Sequence, residues 1–301
     1  MHPSARGVEV MADEMFKTLK GILATRTART VAPVVLAAPP APAETPETPE
    51  QALEAMKKEL GETFHYRVAR VFAVASDAPE KALESYCTQT VAACYDAYMK
   101  QFFKVKAAGA FRVYLFKDDV SYRVNAKKLF GAVPDTPYGY YLDARRALVM
   151  NIATGGGTLV HEMFHALVRA DFPGIPAWAN EGIASLFEQC GVTPAGTLEG
   201  YVNWRLPILQ DAIKKGTLPS FRRIMTMTDA EFYNDRQGKY AAARYLMLYL
   251  QEKDLLVKFY HAFRDRTPED KTGVKFVEEL LGRKLEDFEP EWRKWALALK
   301  R

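Results

Sequence analysis

Residues 161–165 have the sequence HEMFH, and a second short stretch, WANEG at residues 178–182, follows closely behind it. Residues four apart on an α-helix lie on one face, so His161 and His165 can direct both imidazoles at one ion. Glu162 lies about 100° around the helix, beside that ion, where a general base for an activated water belongs. Chance would produce this motif in roughly one of two hundred chains of this composition, so the pattern carries information about function.

Apolar residues surround the motif on every side of the predicted helix, as Leu159, Val160, Met163 and Phe164 illustrate. A helix that is apolar all round is buried. Buried imidazoles and carboxylates require partners, because burying an unpaired polar group costs free energy. A metal ion would satisfy them together, whereas the alternative is a core helix whose histidines bond to carbonyl oxygens.

Glu181 is the predicted third metal ligand because of its position along the chain. The motif helix can continue for about five residues beyond His165, or ~7.5 Å, before residues 171–175 form a turn. Pro176 suits the first position of the next helix, and Glu181 then lies a further ~7.5 Å along it. Antiparallel helices would bring the two ligands level, and Gly182 would let the helices approach closely. Two histidines, one glutamate and an open fourth position form the pattern of catalytic zinc.

At these residues the chain resembles the gluzincin metallopeptidases. The motif followed by NEG at residues 180–182 is similar to the catalytic domains of aminopeptidase N-like enzymes. The similarity extends to bacterial peptidase MA-like domains of undefined substrate, which carry GGGTLV before the motif and Pro-x-Trp-x-x-Glu-Gly after it. Both are present here, at residues 155–160 and 176–182. The resemblance is specific over residues 138–190, loose as far as about residue 265, and absent from the first 60.

The resemblance implies one Zn²⁺ ion, held by His161, His165 and Glu181, and hydrolysis of a peptide or protein substrate with Glu162 as general base. Aminopeptidases of the related family hold the free amine of the substrate with an acidic residue on the rim strand of the cleft. Residues 145–157 contain no Asp or Glu. The resemblance therefore predicts internal cleavage rather than trimming from the N-terminus.

Two further expectations concern the substrate and the transition state. Residues 147–152 are predicted to be the rim strand, which would hold an extended substrate by strand addition. The resemblance also implies a tyrosine downstream of Glu181 that donates to the developing oxyanion. The candidates are Tyr201, Tyr233, Tyr240, Tyr245 and Tyr249. Tyr240 is the predicted donor, because it would open a helix after the polar residues 234–239. The alternative is that Tyr240 is an ordinary packing aromatic.

Two other functions stay open. One is a zinc-stabilised binding domain that has lost turnover, although all four key residues of the motif are present. The other is a metal hydrolase that acts on a non-peptide substrate, since the resemblance identifies no substrate.

The composition is that of a globular protein, with 49% hydrophobic and 26% charged residues among 301. The net charge of +4 is not gathered into a dense basic cluster, so no nucleic-acid partner is predicted. No run of 18 apolar residues occurs, so no transmembrane helix is predicted. Cys87, Cys94 and Cys190 lack a C-x-x-C pair and are predicted to be small buried hydrophobes rather than zinc ligands.

The predicted organisation is a tail followed by one α+β domain. Residues 1–60 are predicted to be a disordered tail and linker. Within them, residues 17–43 leave two alternatives open: an export signal, or the tail of a cytoplasmic protein. Residues 61–301 are predicted to form a zincin-like domain, with a small mixed-sheet lobe at 61–172 that includes the motif helix. A helical lobe at 173–301 would supply Glu181.

Local patterns predict the individual elements. The expected elements are strands at 64–75 and 111–116, a hairpin of 138–142 and 147–152, and helices at 79–103, 120–130, 201–215, 238–252, 255–264, 274–281 and 285–299. Thr158 is predicted to cap the motif helix, and Thr228 with Glu231 to form a capping box. Gly191 is predicted to end the helix of Glu181, with only helices beyond it.

Overall fold

The computed structural model describes residues 46–234 and 236–301, so the signal-like segment at 17–43 lies outside the described residues. The first element is helix α1 (Pro49–Leu60), which begins with a capping box between Thr48 and Gln51. It buries two apolar side chains against the sheet. The prediction of a disordered tail as far as residue 60 is therefore wrong for this helix, whose Thr-x-x-Gln start was overlooked among the prolines.

Five strands form one mixed sheet in the order β1-β2-β3-β5-β4. The strands are β1 (His65–Ala69), β2 (Phe72–Ser76), β3 (Phe111–Phe116), β4 (Gly139–Leu142) and β5 (Ala147–Asn151). β2, β3 and β5 run parallel, and β1 and β4 pair antiparallel at the two edges. The predicted α+β class with a small mixed sheet is confirmed.

Two details of the sheet differ from the predictions. The single strand predicted at 64–75 is a hairpin of β1 and β2, reversed at Arg70, whose φ of 58° lies in the left-handed region. β5 is an interior strand with all five residues buried, so it cannot be the rim of a cleft. β4 is the edge strand instead. The predicted hairpin of β4 and β5, turning at residues 143–145, is confirmed.

Helices cover both faces of the sheet. α1 and α4 (Asp119–Phe130) pack on one face. The other face carries α5 (Gly157–Asp171) and the long helix predicted at 79–103. That helix consists of α2 (Glu80–Ser85), a π-helical segment (Tyr86–Ala92) and α3 (Ala93–Gln101). Cys87 and Cys94 are buried in it, as predicted, whereas Cys190 is partly exposed.

The remainder of the chain is mainly helical. Its helices are α6 (Ala177–Leu186), α7 (Leu206–Lys214), α8 (Phe221–Met225), α9 (Asp229–Tyr233), α10 (Arg236–Glu252), α11 (Leu256–Asp265), α12 (Val274–Leu281) and α13 (Leu285–Ala298). The capping box of Thr228 and Glu231 is confirmed at the start of α9. The prediction of helices alone is wrong, because β6 (Cys190–Val192) and β7 (Leu198–Gly200) form a second, two-stranded sheet. Among the described residues, no helix is long and apolar enough to cross a membrane.

Three glycine and cap positions near the motif also differ from the predictions. α5 begins at Gly157 without a side-chain cap, so Thr158 lies inside the helix rather than at its start. Gly191 lies in β6 and does not end α6. A Cβ on Gly182 would lie 3.1 Å from the carbonyl oxygen of Ala243 on α10. Gly182 therefore permits the close approach of α6 to α10, not to the motif helix as predicted.

Candidate metal centre

His161 and His165 occupy successive turns of α5, and their Nε2 atoms face each other at 2.9 Å. The two rings are nearly perpendicular, with centroids 4.6 Å apart. His161 is 9% exposed, and His165 is partly buried. Two imidazoles held nitrogen to nitrogen in a buried site need a proton or a metal ion between them, because two lone pairs repel.

Glu181 of α6 completes the cluster. Its Oε2 lies 3.3 Å from His161 Nε2, and its Oε1 lies 3.6 Å from His165 Nε2. One ligand atom from each residue lies within 4.8 Å of the other two. Ligands around a tetrahedral zinc ion, with bonds of about 2.0–2.1 Å, are about 3.3 Å apart. The separations here scatter around that value, so the three residues could hold a metal ion.

The outward-facing nitrogens of both imidazoles meet oxygen acceptors. His165 Nδ1 is 2.9 Å from Asn180 Oδ1, which favours the tautomer with hydrogen on Nδ1 and a lone pair on Nε2. His161 Nδ1 is 3.3 Å from Glu188 Oε1, an ion-pair contact rather than a well-formed hydrogen bond, and this buried nitrogen has no hydrogen bond within the described part of the chain. Such outer contacts orient metal-binding histidines and select the coordinating nitrogen.

Two carboxylates, Glu181 and Glu188, make the cluster receptive to positive charge. Burial acts to raise the pKa of Glu181, but the charge of His165 and the hydrogen bond to His161 outweigh it and hold the pKa well below its ordinary value. Burial acts in the opposite sense on His161, yet Glu181 and Glu188 raise its pKa to about 10. In the absence of a metal, the site therefore favours a protonated imidazole. A divalent cation would compete for the same position.

Glu162 follows His161 in α5, and its carboxylate interacts electrostatically with His161, His165 and Glu181. The backbone N–H of Tyr141 in β4 also acts to lower the pKa of this carboxylate. Burial raises its pKa, against the lowering influence of His161 and His165. A carboxylate with a raised pKa is a better proton acceptor than an ordinary one, as a general base requires.

The structure places the hydroxyl of Tyr233 against the cluster, while Tyr240 as the oxyanion donor stays a prediction. The hydroxyl of Tyr233, at the end of α9, donates to Glu181 Oε1 at 3.0 Å. Tyr240 is 7% exposed and stacks on Phe232, with ring centroids 5.1 Å apart. It lies in the second turn of α10 rather than at its start. Its ring centroid is 6.3 Å from that of Tyr233. The geometry thus favours Tyr233 as the phenol at the site.

The sequence does not predict the roles of Asn180 and Glu188, and it offers Tyr233 only as one of five candidate tyrosines. Asn180 lies within the motif, but the motif does not indicate its contact with His165. Glu188 lies seven residues after Glu181, a spacing of two helical turns that would have indicated a shared face. Tyr233 is fixed by the capping box that starts α9, which places this short helix but does not indicate what it touches. Comparison of the sequence with protein-family models and with curated proteins found no match.

Proposed function

We propose that this protein is a zinc-dependent peptidase with a zincin-like fold of the gluzincin type. The observation that carries the proposal is the convergence of His161, His165 and Glu181, whose ligand atoms lie within 4.8 Å of one another beside the carboxylate of Glu162. The choice of zinc follows from the donor set, since two imidazoles and one carboxylate are typical of catalytic zinc sites. One such ion per chain would leave a fourth position open for water.

When bound, a zinc ion in a site of this kind polarises a carbonyl group and lowers the pKa of a water molecule to about 7. Glu162 accepts the proton of the attacking water and later delivers it to the leaving amine. Before substrate binds, the hydroxyl of Tyr233 donates a hydrogen bond to Glu181. During the reaction the same hydroxyl instead donates to the oxyanion that forms from the substrate carbonyl. The partly buried setting strengthens these interactions, because little water screens them.

The substrate is proposed to be an extended peptide that pairs with β4. β4 is an edge strand of the sheet, and the backbone N–H of its Tyr141 acts to lower the pKa of the Glu162 carboxylate, so strand and carboxylate are neighbours. An edge strand offers unpaired backbone groups to an incoming strand. This assignment replaces β5, which lies inside the sheet.

Internal cleavage remains the proposed mode of action. An enzyme that trims N-termini needs a carboxylate for the substrate's ammonium group. Glu188 is occupied by Arg205, which contacts it at 2.6 Å, and Glu181 faces the two imidazoles. Residues 139–142 contribute no acidic side chain. A peptide bound along β4 can therefore extend past the cleavage point in both directions.

The test combines metal content with cleavage of a peptide library derived from a whole proteome. We expect about one zinc per chain and cleavage at internal bonds. Glu162→Gln is the matched variant: it should keep its zinc and fold but lose turnover by about 10²–10⁴-fold, because only the proton acceptor is removed.

Zinc binding without cleavage of any peptide would contradict the peptidase proposal and favour a binding domain or a non-peptide hydrolase. Loss of zinc from Glu162→Gln would show that this carboxylate is a ligand and that the mechanism is wrong. Efficient release of single N-terminal residues from short peptides would contradict internal cleavage.

A further inference from the structure

Glu188 is a buried carboxylate that none of the catalytic steps uses. It lies two residues beyond the end of α6, and its side chain is 15% exposed. Its Oε1 is 3.3 Å from His161 Nδ1, on the side of the imidazole that faces away from His165 and Glu181. Because the ring separates Glu188 from the three converging ligand atoms, Glu188 is not placed to be a ligand itself.

Two residues donate hydrogen bonds to the Glu188 carboxylate. Arg205 donates to both of its oxygens, from Nη2 to Oε1 at 2.6 Å and from Nε to Oε2 at 3.1 Å. Asn203 Nδ2 donates to Oε2 at 3.3 Å. The guanidinium of Arg205 is itself supported by the Trp204 ring, 4.2 Å from its centroid. A bidentate pair of this kind orients the carboxylate and favours its ionised form.

The backbone of Glu188 is brought close to the motif helix by Gly157. A Cβ at Gly157 would lie 2.1 Å from the Glu188 carbonyl oxygen, closer than any real contact. Any residue other than glycine would therefore push the segment of Glu188 away from the first turn of α5. Gly157 is the first residue of α5, and this close approach gives a physical reason for a glycine there.

We propose that Glu188 is a positioning residue, held by Arg205 and Asn203, that orients His161 with Nε2 toward the metal. The Nδ1 of His161 is buried without a hydrogen bond within the described residues, and Glu188 Oε1, 3.3 Å away, is an acceptor within its reach. A carboxylate in this position fixes the tautomer and increases the basicity of the coordinating nitrogen. The inference rests on the metal site of the proposed function and does not depend on peptide cleavage.

The first experiment measures zinc affinity by competition with a chelator of known affinity. Glu188→Ala should weaken binding by about 10–100-fold, and Glu188→Gln by less, because the amide oxygen still accepts a hydrogen bond. Glu199→Gln is the control, since Glu199 is an exposed glutamate whose side chain contacts Tyr201. Affinities of both Glu188 variants within twofold of the wild type would overturn the inference.

A double-mutant cycle separates positioning from a merely structural role. If Arg205 acts through Glu188, Arg205→Met weakens zinc binding in the wild type but has no further effect in Glu188→Ala. The ¹⁵N resonances of His161 in the zinc-loaded protein supply a direct readout. We expect the Nδ1–H signal to lose its hydrogen-bonded shift in Glu188→Ala. An unchanged signal would overturn the inference, even if the thermal stability of the metal-free variant had fallen.

The outcomes distinguish this inference from the peptidase proposal. Absence of cleavage, together with weakened zinc binding in the Glu188 variants, would contradict the peptidase proposal alone. Normal cleavage and unchanged zinc affinity would contradict the role of Glu188 alone. Failure of the wild-type protein to bind zinc would contradict both.

Discussion

Two buried carboxylates lie on either side of the turn between α5 and α6, and they differ in the groups that contact them. Asp171 ends α5 and is 7% exposed, while Glu181 lies in α6 and is 6% exposed. Asp171 accepts hydrogen bonds from the backbone N–H groups of Lys104 and Val105, at 2.7 and 2.8 Å. Its other oxygen accepts from Arg264 at 2.7 Å and Tyr260 at 2.8 Å. The protein thus supplies both a cation and neutral donors to Asp171.

Glu181 also accepts a hydrogen bond from a tyrosine. Its other contacts are two imidazoles, whereas Asp171 contacts an arginine. Its contacts are Tyr233 at 3.0 Å, His161 at 3.3 Å and His165 at 3.6 Å. A fixed guanidinium satisfies a buried carboxylate permanently, whereas an imidazole does so only while it holds a proton, and a metal ion can take the place of that proton. The difference indicates that Asp171 stabilises the junction of the two helices, and that Glu181 is kept available for a ligand.

The strongest test of this comparison removes each carboxylate in turn. Glu181→Ala should abolish stoichiometric zinc binding and all turnover, because it removes one of three ligands. Asp171→Asn should lower the free energy of unfolding by about 3 kcal/mol, because it breaks a buried ion pair. The estimate is at the low end for such pairs, since Arg264 keeps its 2.7 Å contact with Asp265. Zinc analysis and urea unfolding provide the measurements.

Zinc content per folded molecule should stay normal in Asp171→Asn. Loss of zinc from that variant, or full zinc content in Glu181→Ala, would contradict the proposed difference in role between the two carboxylates.

The tyrosines that donate to each carboxylate offer a finer test. Tyr233→Phe should lower kcat by about 10²-fold if its hydroxyl serves the oxyanion, with the stability of the zinc-loaded protein nearly unchanged because the metal ion would replace the lost donor to Glu181. Tyr260→Phe should lower the free energy of unfolding by about 1–2 kcal/mol with kcat unchanged. The substitution removes one of the hydrogen-bond donors to a buried carboxylate oxygen of Asp171. Steady-state kinetics and thermal unfolding of both variants measure the two effects.

Tyr240→Phe serves as the matched aromatic control, and its kcat should lie within about threefold of the wild type because the packed ring is retained. A large fall in kcat for Tyr240→Phe, with Tyr233→Phe unaffected, would restore the sequence-based prediction of Tyr240 as the donor.

The smallest expected effect is the acid sensitivity of Asp171. Burial acts to raise its pKa, but Arg264, the backbone N–H of Val105 and Tyr260 together lower it below the ordinary value of 3.8. A carboxylate whose pKa is lower in the folded state stabilises the fold above the unfolded pKa, and this stability is lost as pH falls. The difference in unfolding free energy between wild type and Asp171→Asn should therefore shrink below about pH 4. Urea unfolding of the metal-free proteins between pH 6 and 3 measures it, and a difference that grows on acidification would be contrary to this account.

The candidate metal ligands were predictable from the sequence because they depend on short-range geometry. His161, Glu162 and His165 share one helix, and Glu181 follows after a turn of fixed length. The helical period and the reach of the chain therefore placed them before any fold was known. The hairpin of β4 and β5 was predictable for the same reason, since both strands and their turn are contiguous.

Contacts between distant segments were decided only by the tertiary structure. Strand order made β4 rather than β5 the edge of the sheet, because pairing depends on where other strands lie and not on local pattern. Gly182 faces α10, and Gly157 faces the backbone of Glu188, although a glycine in the sequence does not reveal what approaches it. Tyr233 reaches Glu181 across 52 positions of sequence, while Tyr240 stacks on Phe232. Helical periodicity indicates which residues share a face, but the packing of whole elements selects which phenol and which carboxylate reach the candidate metal centre.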